Sequence, residues 1–171
     1  MVSQQEPTFL VDAYSDPIVL KICGRACYLN CAVLNEFLQG MLAKGRSNFV
    51  FDFSECLGMD STVLGILAGI GIEVMKADPR GSVVLCKLST RNLELVRNLG
   101  LHRILEVDSG DYPMHFGDQT VELTQPNKAK IASARDILKA HENLLCVDEG
   151  NHAKFQDVVI FLKEQIEDDT P

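Results

Sequence analysis

Side chains capable of nucleophilic, metal-ligating or acid–base work fall in three places in this sequence. Asp60, Ser61 and Thr62 stand together in MDSTVLGILAGIG (59–71), directly ahead of a nearly unbroken apolar run. Cys23, Cys27 and Cys31 recur every four residues in CGRACYLNC, and His102, His115, His141 and His152 are scattered over the second half. A serine that follows a strand and opens a helix invites comparison with an acyl-transfer nucleophile. That elbow needs G-x-S-x-G, and Met59 and Val63 fill the two glycine positions, so hydrolysis is disfavoured. The thiol spacing matches none of the usual CxxC-type ligand pairs and places Cys23 on a strand and Cys31 on a helix. These cysteines read as small buried hydrophobes. No HExxH pattern or close pairing with a carboxylate marks the histidines, so no metal is expected, and His141 falls on the apolar stripe of a helix, as a core or interface residue would.

Gly65, Gly69 and Gly71 lie inside the apolar helix instead of ahead of it, and no Lys-Ser/Thr follows, which argues against a phosphate-binding loop. Gly65 and Gly69, four apart, share one helical face and let that helix pack closely on the sheet or on a partner. Each glycine costs roughly 1 kcal/mol relative to alanine, so packing or function must compensate. At the head of the helix, Asp60 or Ser61 can cap the free N–H groups. A phosphoryl group on Ser61 would add nearly two negative charges at the positive end of the helix dipole. The fold can tolerate that charge, whereas a partner docked on the same corner, already facing Asp60, cannot. This is the physics of an on/off binding switch.

The elements that hold these residues follow from pattern. FLVDAY (9–14) and PIVLKICG (17–24) are strand-like runs separated by Ser15-Asp16-Pro17. Cys31, Leu34, Phe37, Leu38, Met41 and Leu42 mark a helix with Asn30 as its expected cap and Gly45 as its stop. NFVFDF (48–53) is apolar on both faces and reads as a central strand, followed by a loop, SECLGM, and the helix from Asp60 to about Ala77. SVVLCKL (82–88) is a second buried strand, Ser89-Thr90 caps a helix ended by Gly100, and residues 104–107 form a short edge strand. The order β β α β α β α (β) predicts a mostly parallel α/β sheet of four to five strands with helices packed on it. Residues 108–127, including the polar SGDYPMHFGDQT, read as a linker. A C-terminal helical hairpin is expected over 128–168. Ile131, Ile137, Leu138, His141, Leu144 and Leu145 mark its first stripe, and Phe155, Val158, Val159, Leu162 and Ile166 its second.

Composition narrows the function. The 24 acidic against 16 basic residues give a net charge of −8, and Trp is absent, which argues against direct nucleic-acid binding. The longest apolar run (63–75) is short of the roughly 20 residues that span a bilayer, so no membrane insertion is expected. MVSQQEPTF lacks a basic region followed by an apolar one, and a cytoplasmic protein with six reduced cysteines is expected.

DFSECLGMDSTVLGILAGI resembles the signature of STAS domains, the anti-sigma factor antagonist family. Asp52 to Ser54 match a buried strand ending in an Asp-x-Ser-type turn. Asp60-Ser61-Thr62 match Asp-Ser-Ser/Thr at a helix start, and Gly65 matches the motif's last glycine, with Val63 where the family has its first. The chain order extends the likeness over residues 8–107, the expected STAS domain. The resemblance implies a non-enzymatic binding module without a cofactor. Ser61 would be the phosphoacceptor of an anti-sigma factor with serine kinase activity, reset by a PP2C-type phosphatase, and Asp52, Ser54, Asp60, Ser61, Thr62 and Val63 would form the partner-binding turn. The hairpin would serve dimerisation or a second contact. A second reading keeps the fold as a scaffold, small-molecule or lipid-transport accessory module not controlled by phosphorylation.

Overall fold

The computed structural model describes residues 8–108, 120–123 and 131–171. Its strands are β1 (Phe9–Asp12), β2 (Ile18–Ala26), β3 (Asn48–Met59), β4 (Ser82–Cys86), β5 (Glu106–Val107) and β6 (Val121–Glu122). Its helices are α1 (Ala32–Ala43), α2 (Ser61–Lys76), α3 (Thr90–Asn98), α4 (Ala134–Val147) and α5 (Asn151–Asp168). The strands make one sheet in the order β5-β4-β3-β2-β1-β6. β2, β3, β4 and β5 pair in parallel, and β1 is antiparallel to both β2 and β6. The sheet is thus mixed and mostly parallel, with one strand more than expected, because Val121–Glu122, in the stretch read as linker, pairs with Leu10 and Val11. The rest of the polar run read as linker, 109–119 and 124–127, lies outside the described residues, as do His115 and the expected first residues of the hairpin, 128–130.

β3 occupies the centre. Phe49, Phe51 and Phe53 alternate onto the face covered by α1 and α2, while Val50 joins Val84 and Cys86 on the opposite face. The expected loop SECLGM is instead a continuation of β3. β2 runs on beside it, pairing Cys23 with Glu55, Gly24 with Cys56, Arg25 with Gly58 and Ala26 with Met59. Two register irregularities, between Lys21 and Cys23 and between Gly24 and Arg25, absorb the break in alternation that made this stretch look like a loop. The extended strand carries the chain straight to the start of α2.

Three further expectations change. Asn30 does not cap α1, which begins after Cys31 with no side-chain cap. Asn30 closes the preceding turn: its carbonyl oxygen accepts from Cys27 N–H (2.9 Å) and its amide donates to the Arg25 carbonyl (2.8 Å). β4 stops at Cys86, short of Leu88, because Lys87 takes a left-handed φ of 58°. Residues 104 and 105 are not strand but follow a 3-10 turn, Leu101–Arg103, so β5 keeps only two residues. Ser89 caps α3 as expected, and Gly45 and Gly100 adopt positive φ after α1 and α3.

α4 and α5 form the C-terminal helical pair. The stripe of α4 is buried on α2 of its own chain: Ala140, His141 and Leu144 are all at most 3% exposed. Ile131, expected on that stripe, is 52% exposed, and the small Ala132 is buried in its place. In α5, Val159 and Leu162 are buried and Phe155 and Ile166 partly so, whereas Val158 faces outward.

Candidate functional site at the start of α2

Asp60 fixes the head of α2 through both carboxylate oxygens. Oδ1 accepts from Val63 N–H at 3.0 Å, the N-cap bond, and Oδ2 accepts from Tyr28 N–H at 2.8 Å. Its own N–H donates to the Ala26 carbonyl at 3.2 Å. One residue therefore ties the helix start to the end of β2 and to the 27–30 turn. Tyr28 and Leu29 on that turn are 45% and 47% exposed, which places apolar surface beside the cap. Sequence reading passed over them, since two apolar residues in a short loop carry no periodic signal.

Ser61 is the first residue of α2 and is partly exposed. Its hydroxyl lies 2.9 Å from His141 Nε2, and His141 Nδ1 lies 2.7 Å from the Ile137 carbonyl. A carbonyl only accepts, so Nδ1 carries a proton toward Ile137, and Nε2 is the ring atom that faces the Ser61 hydroxyl. The imidazole also meets the Phe155 ring edge-on at 5.4 Å between centroids. His141 is thus the interface residue the stripe implied, and its partner is the serine.

The glycines of α2 are the reason α4 can approach. A Cβ on Gly65 would run into the backbone of Ala140, carbonyl included, and one on Gly69 would meet the Asn143 amide. Asn143 Nδ2 donates to the Gly65 carbonyl at 3.2 Å. Three positions four apart on one face of α2, 61, 65 and 69, are met by Ala140, His141 and Asn143. The glycine spacing signalled a close approach and left the approaching element unspecified.

The other predicted site residues are placed differently. Thr62 is 4% exposed and Val63 is fully buried, so neither residue contributes surface at this turn. Val63 adds a core side chain where the family has glycine and no bulk outside. Asp52 is buried within β3, its carboxylate accepting from Ser54 N–H at 2.8 Å, and the exposed Ser54 follows it within the strand, seven residues before Ser61. The cysteines do not converge. Cys23 donates to Glu55 at 3.3 Å, Cys31 is buried beneath α1, and burial raises them to about 11 and about 12.

Beside Ser61 lies a cleft of about 340 Å³ lined by Met59, Leu64, Leu95, Leu99, Asn98, Phe155 and Lys154. The Lys154 ammonium donates to the Asn98 carbonyl at 2.8 Å, joining α5 to the end of α3. A second tie is Asn151 at the start of α5, whose buried amide donates to the Leu99 and Leu144 carbonyls at 2.9 and 2.8 Å. Among the described residues, no helix is long and apolar enough to cross a membrane.

A mixed, mostly parallel α/β sheet whose central strand leads into an Asp-capped, serine-headed helix defines a class of small α/β domains. The STAS domain family matches residues 8–111, well over half of the chain, and the chain belongs to that family. Among solved structures it is similar to the anti-sigma factor antagonist SpoIIAA in its unphosphorylated form, at 17% identity and a TM-score of 0.49, covering 60% of this chain and 88% of that one. It is also similar to the Bacillus cell fate determinant SpoIIAA in the phosphorylated form, at 17% identity and a TM-score of 0.47, covering 59% of this chain and 91% of that one. No curated protein matches.

Proposed function

We propose that this chain is an anti-sigma factor antagonist, a cytoplasmic partner-switching protein whose state is set by phosphorylation of Ser61. The observation that supports it best is the placement of Ser61: a partly exposed serine at the first residue of α2, on a turn held by Asp60, in a STAS domain. The partner is an anti-sigma factor with serine kinase activity. It transfers the terminal phosphoryl of ATP to Ser61 Oγ, and a PP2C-type phosphatase removes it by hydrolysis. The phosphoryl oxygens would meet the unpaired N–H groups of the first turn of α2, which lowers the cost to this fold. The same two charges beside Asp60 oppose a docked partner.

Incubation with the host's anti-sigma factor kinase and ATP, followed by phosphosite mapping by mass spectrometry, tests the assignment. Phosphate on Ser61 is expected; phosphate elsewhere, or none, overturns it. In titrations against the same kinase, Ser61→Asp should bind at least tenfold more weakly than Ser61→Ala. Equal affinities would remove the charge mechanism.

A further inference from the structure

The face of α2 that a partner must read at Ser61 is already filled by a helix from the same chain. Ser61, Gly65 and Gly69 run along one side of α2, and α4 covers each in turn. His141 Nε2 is hydrogen-bonded to the serine, the Ala140 backbone lies where a Cβ on Gly65 would be, and the Asn143 amide lies over Gly69. This is a groove shaped for a helix. Close backbone approach requires glycine on one side and a small residue on the other, here Ala140.

The cover combines an apolar stripe, Ala140 and Leu144, that joins the main core with a largely exposed outer helix. Among the described residues its side-chain bonds to α2 are two, Ser61 to His141 and Asn143 to Gly65, while Lys154 and Asn151 tie the hairpin to the end of α3. The outer helix α5 is largely exposed, with Ile160 and Phe161 at 55% and 57%. The buried Asn151 at the turn of the pair leaves its Oδ1 without a hydrogen-bond partner.

We propose that the C-terminal hairpin is a competitor in cis: α4 holds the Ser61–Gly65–Gly69 face, and the chain is competent to bind only when α4 lifts away. The incoming partner presents a helix with a small residue facing Gly65, in the place of Ala140. This inference rests on the partner-switching reading above. A docked hairpin reduces apparent affinity by the fraction of molecules that are open, so an open fraction of about one in ten weakens binding about tenfold.

The test uses the full chain with hairpin-side substitutions that leave α2 unchanged, Ala140→Glu and, separately, Leu144→Asp. Hydrogen exchange comes first. Amides of α4 and of the first two turns of α2 should lose protection at least tenfold, while β3 and β4 keep theirs. The variants should then bind the anti-sigma factor kinase at least tenfold more tightly than the native chain. A loosened hairpin with equal or weaker kinase affinity overturns the competitor and leaves the partner-switching reading standing. Unchanged protection in both variants, or loss of sheet protection together with the hairpin, also overturns it, because the hairpin is then not a separable cover. If neither the native chain nor the variants bind the kinase, the partner-switching reading itself fails, and this one falls with it.

Discussion

Asp60 illustrates how much one side chain can fix. Its carboxylate accepts from Val63 and Tyr28 N–H groups that belong to different elements. Asp60→Ala should lower stability by about 1–3 kcal/mol, the loss of a cap plus an unsatisfied turn amide, read as a fall in the urea midpoint without a change in slope. An unchanged midpoint would show that water replaces both bonds. The cap and the serine after it were legible in sequence because capping is a local signal spanning a few residues. The hydrogen bond between Ser61 and His141 was not, since the two lie 80 residues apart and periodicity reports only that His141 is covered, not by what. The thiols offer a second residue-scale prediction. Burial raises Cys31 from 9.0 to about 12 and Cys86 from 9.0 to about 11, so the protonated form is the one the fold favours. Their contribution is therefore intact below pH 9 and is lost as the pH rises through 11 and 12. At pH 8 Cys31 holds about a thousandfold less thiolate than an unshifted thiol, and iodoacetamide should label the exposed Cys146 first and Cys31 last. Rapid labelling of Cys31 in the folded chain would contradict its placement.

At the scale of elements, α2 shows two opposing demands on the same residues. Glycine at 65 and 69 weakens the helix, and the approach of α4 is what the omission of those side chains makes possible. Gly65→Ala should therefore separate the two effects. It raises the intrinsic stability of α2 by about 1 kcal/mol while forcing the Ala140 backbone away. Amides of α4 should exchange faster, and those of β3 and β4 should stay as protected as before. Unaltered exchange in α4 would mean that the helices slide apart without losing contact. Strands were less readable than helices here for a physical reason. Ser54 and Glu55 break the apolar run, yet the register irregularities let β2 and β3 keep pairing past them. β6 is two residues long and owes its existence to pairing with β1, a partner more than a hundred residues earlier, so no local pattern could mark it. Asn30 carries a cap-forming side chain, and the competing turn around Cys27 claimed it.

For the whole molecule, the order of elements was readable because each βα unit announces itself, and that order implied the sheet. Where the C-terminal pair would settle was not, because its stripes required a surface without specifying one. α4 finds that surface on α2, which removes the need for a second copy to cover the stripe. The result is two layers of unequal hold. The sheet core is dense with buried aromatic and branched residues such as Phe49, Phe51, Phe53 and Leu67, while the outer helix of the pair keeps Phe161 and Ile160 in water. Regions with few buried apolar contacts open at lower free energy than the core. Native-state hydrogen exchange across sub-denaturing urea should thus resolve two units. Amides of α4 and α5 should exchange through an opening of small urea dependence, and those of β3 and β4 only through global unfolding with the full slope. In the native chain the first opening should also expose the start of α2, so amides of its first two turns should follow the hairpin and not the sheet. Exchange of α2's first turns with the sheet, while α4 opens alone, would show that lifting the hairpin leaves the serine-headed helix sealed. A single isotherm for all of them would show one cooperative block.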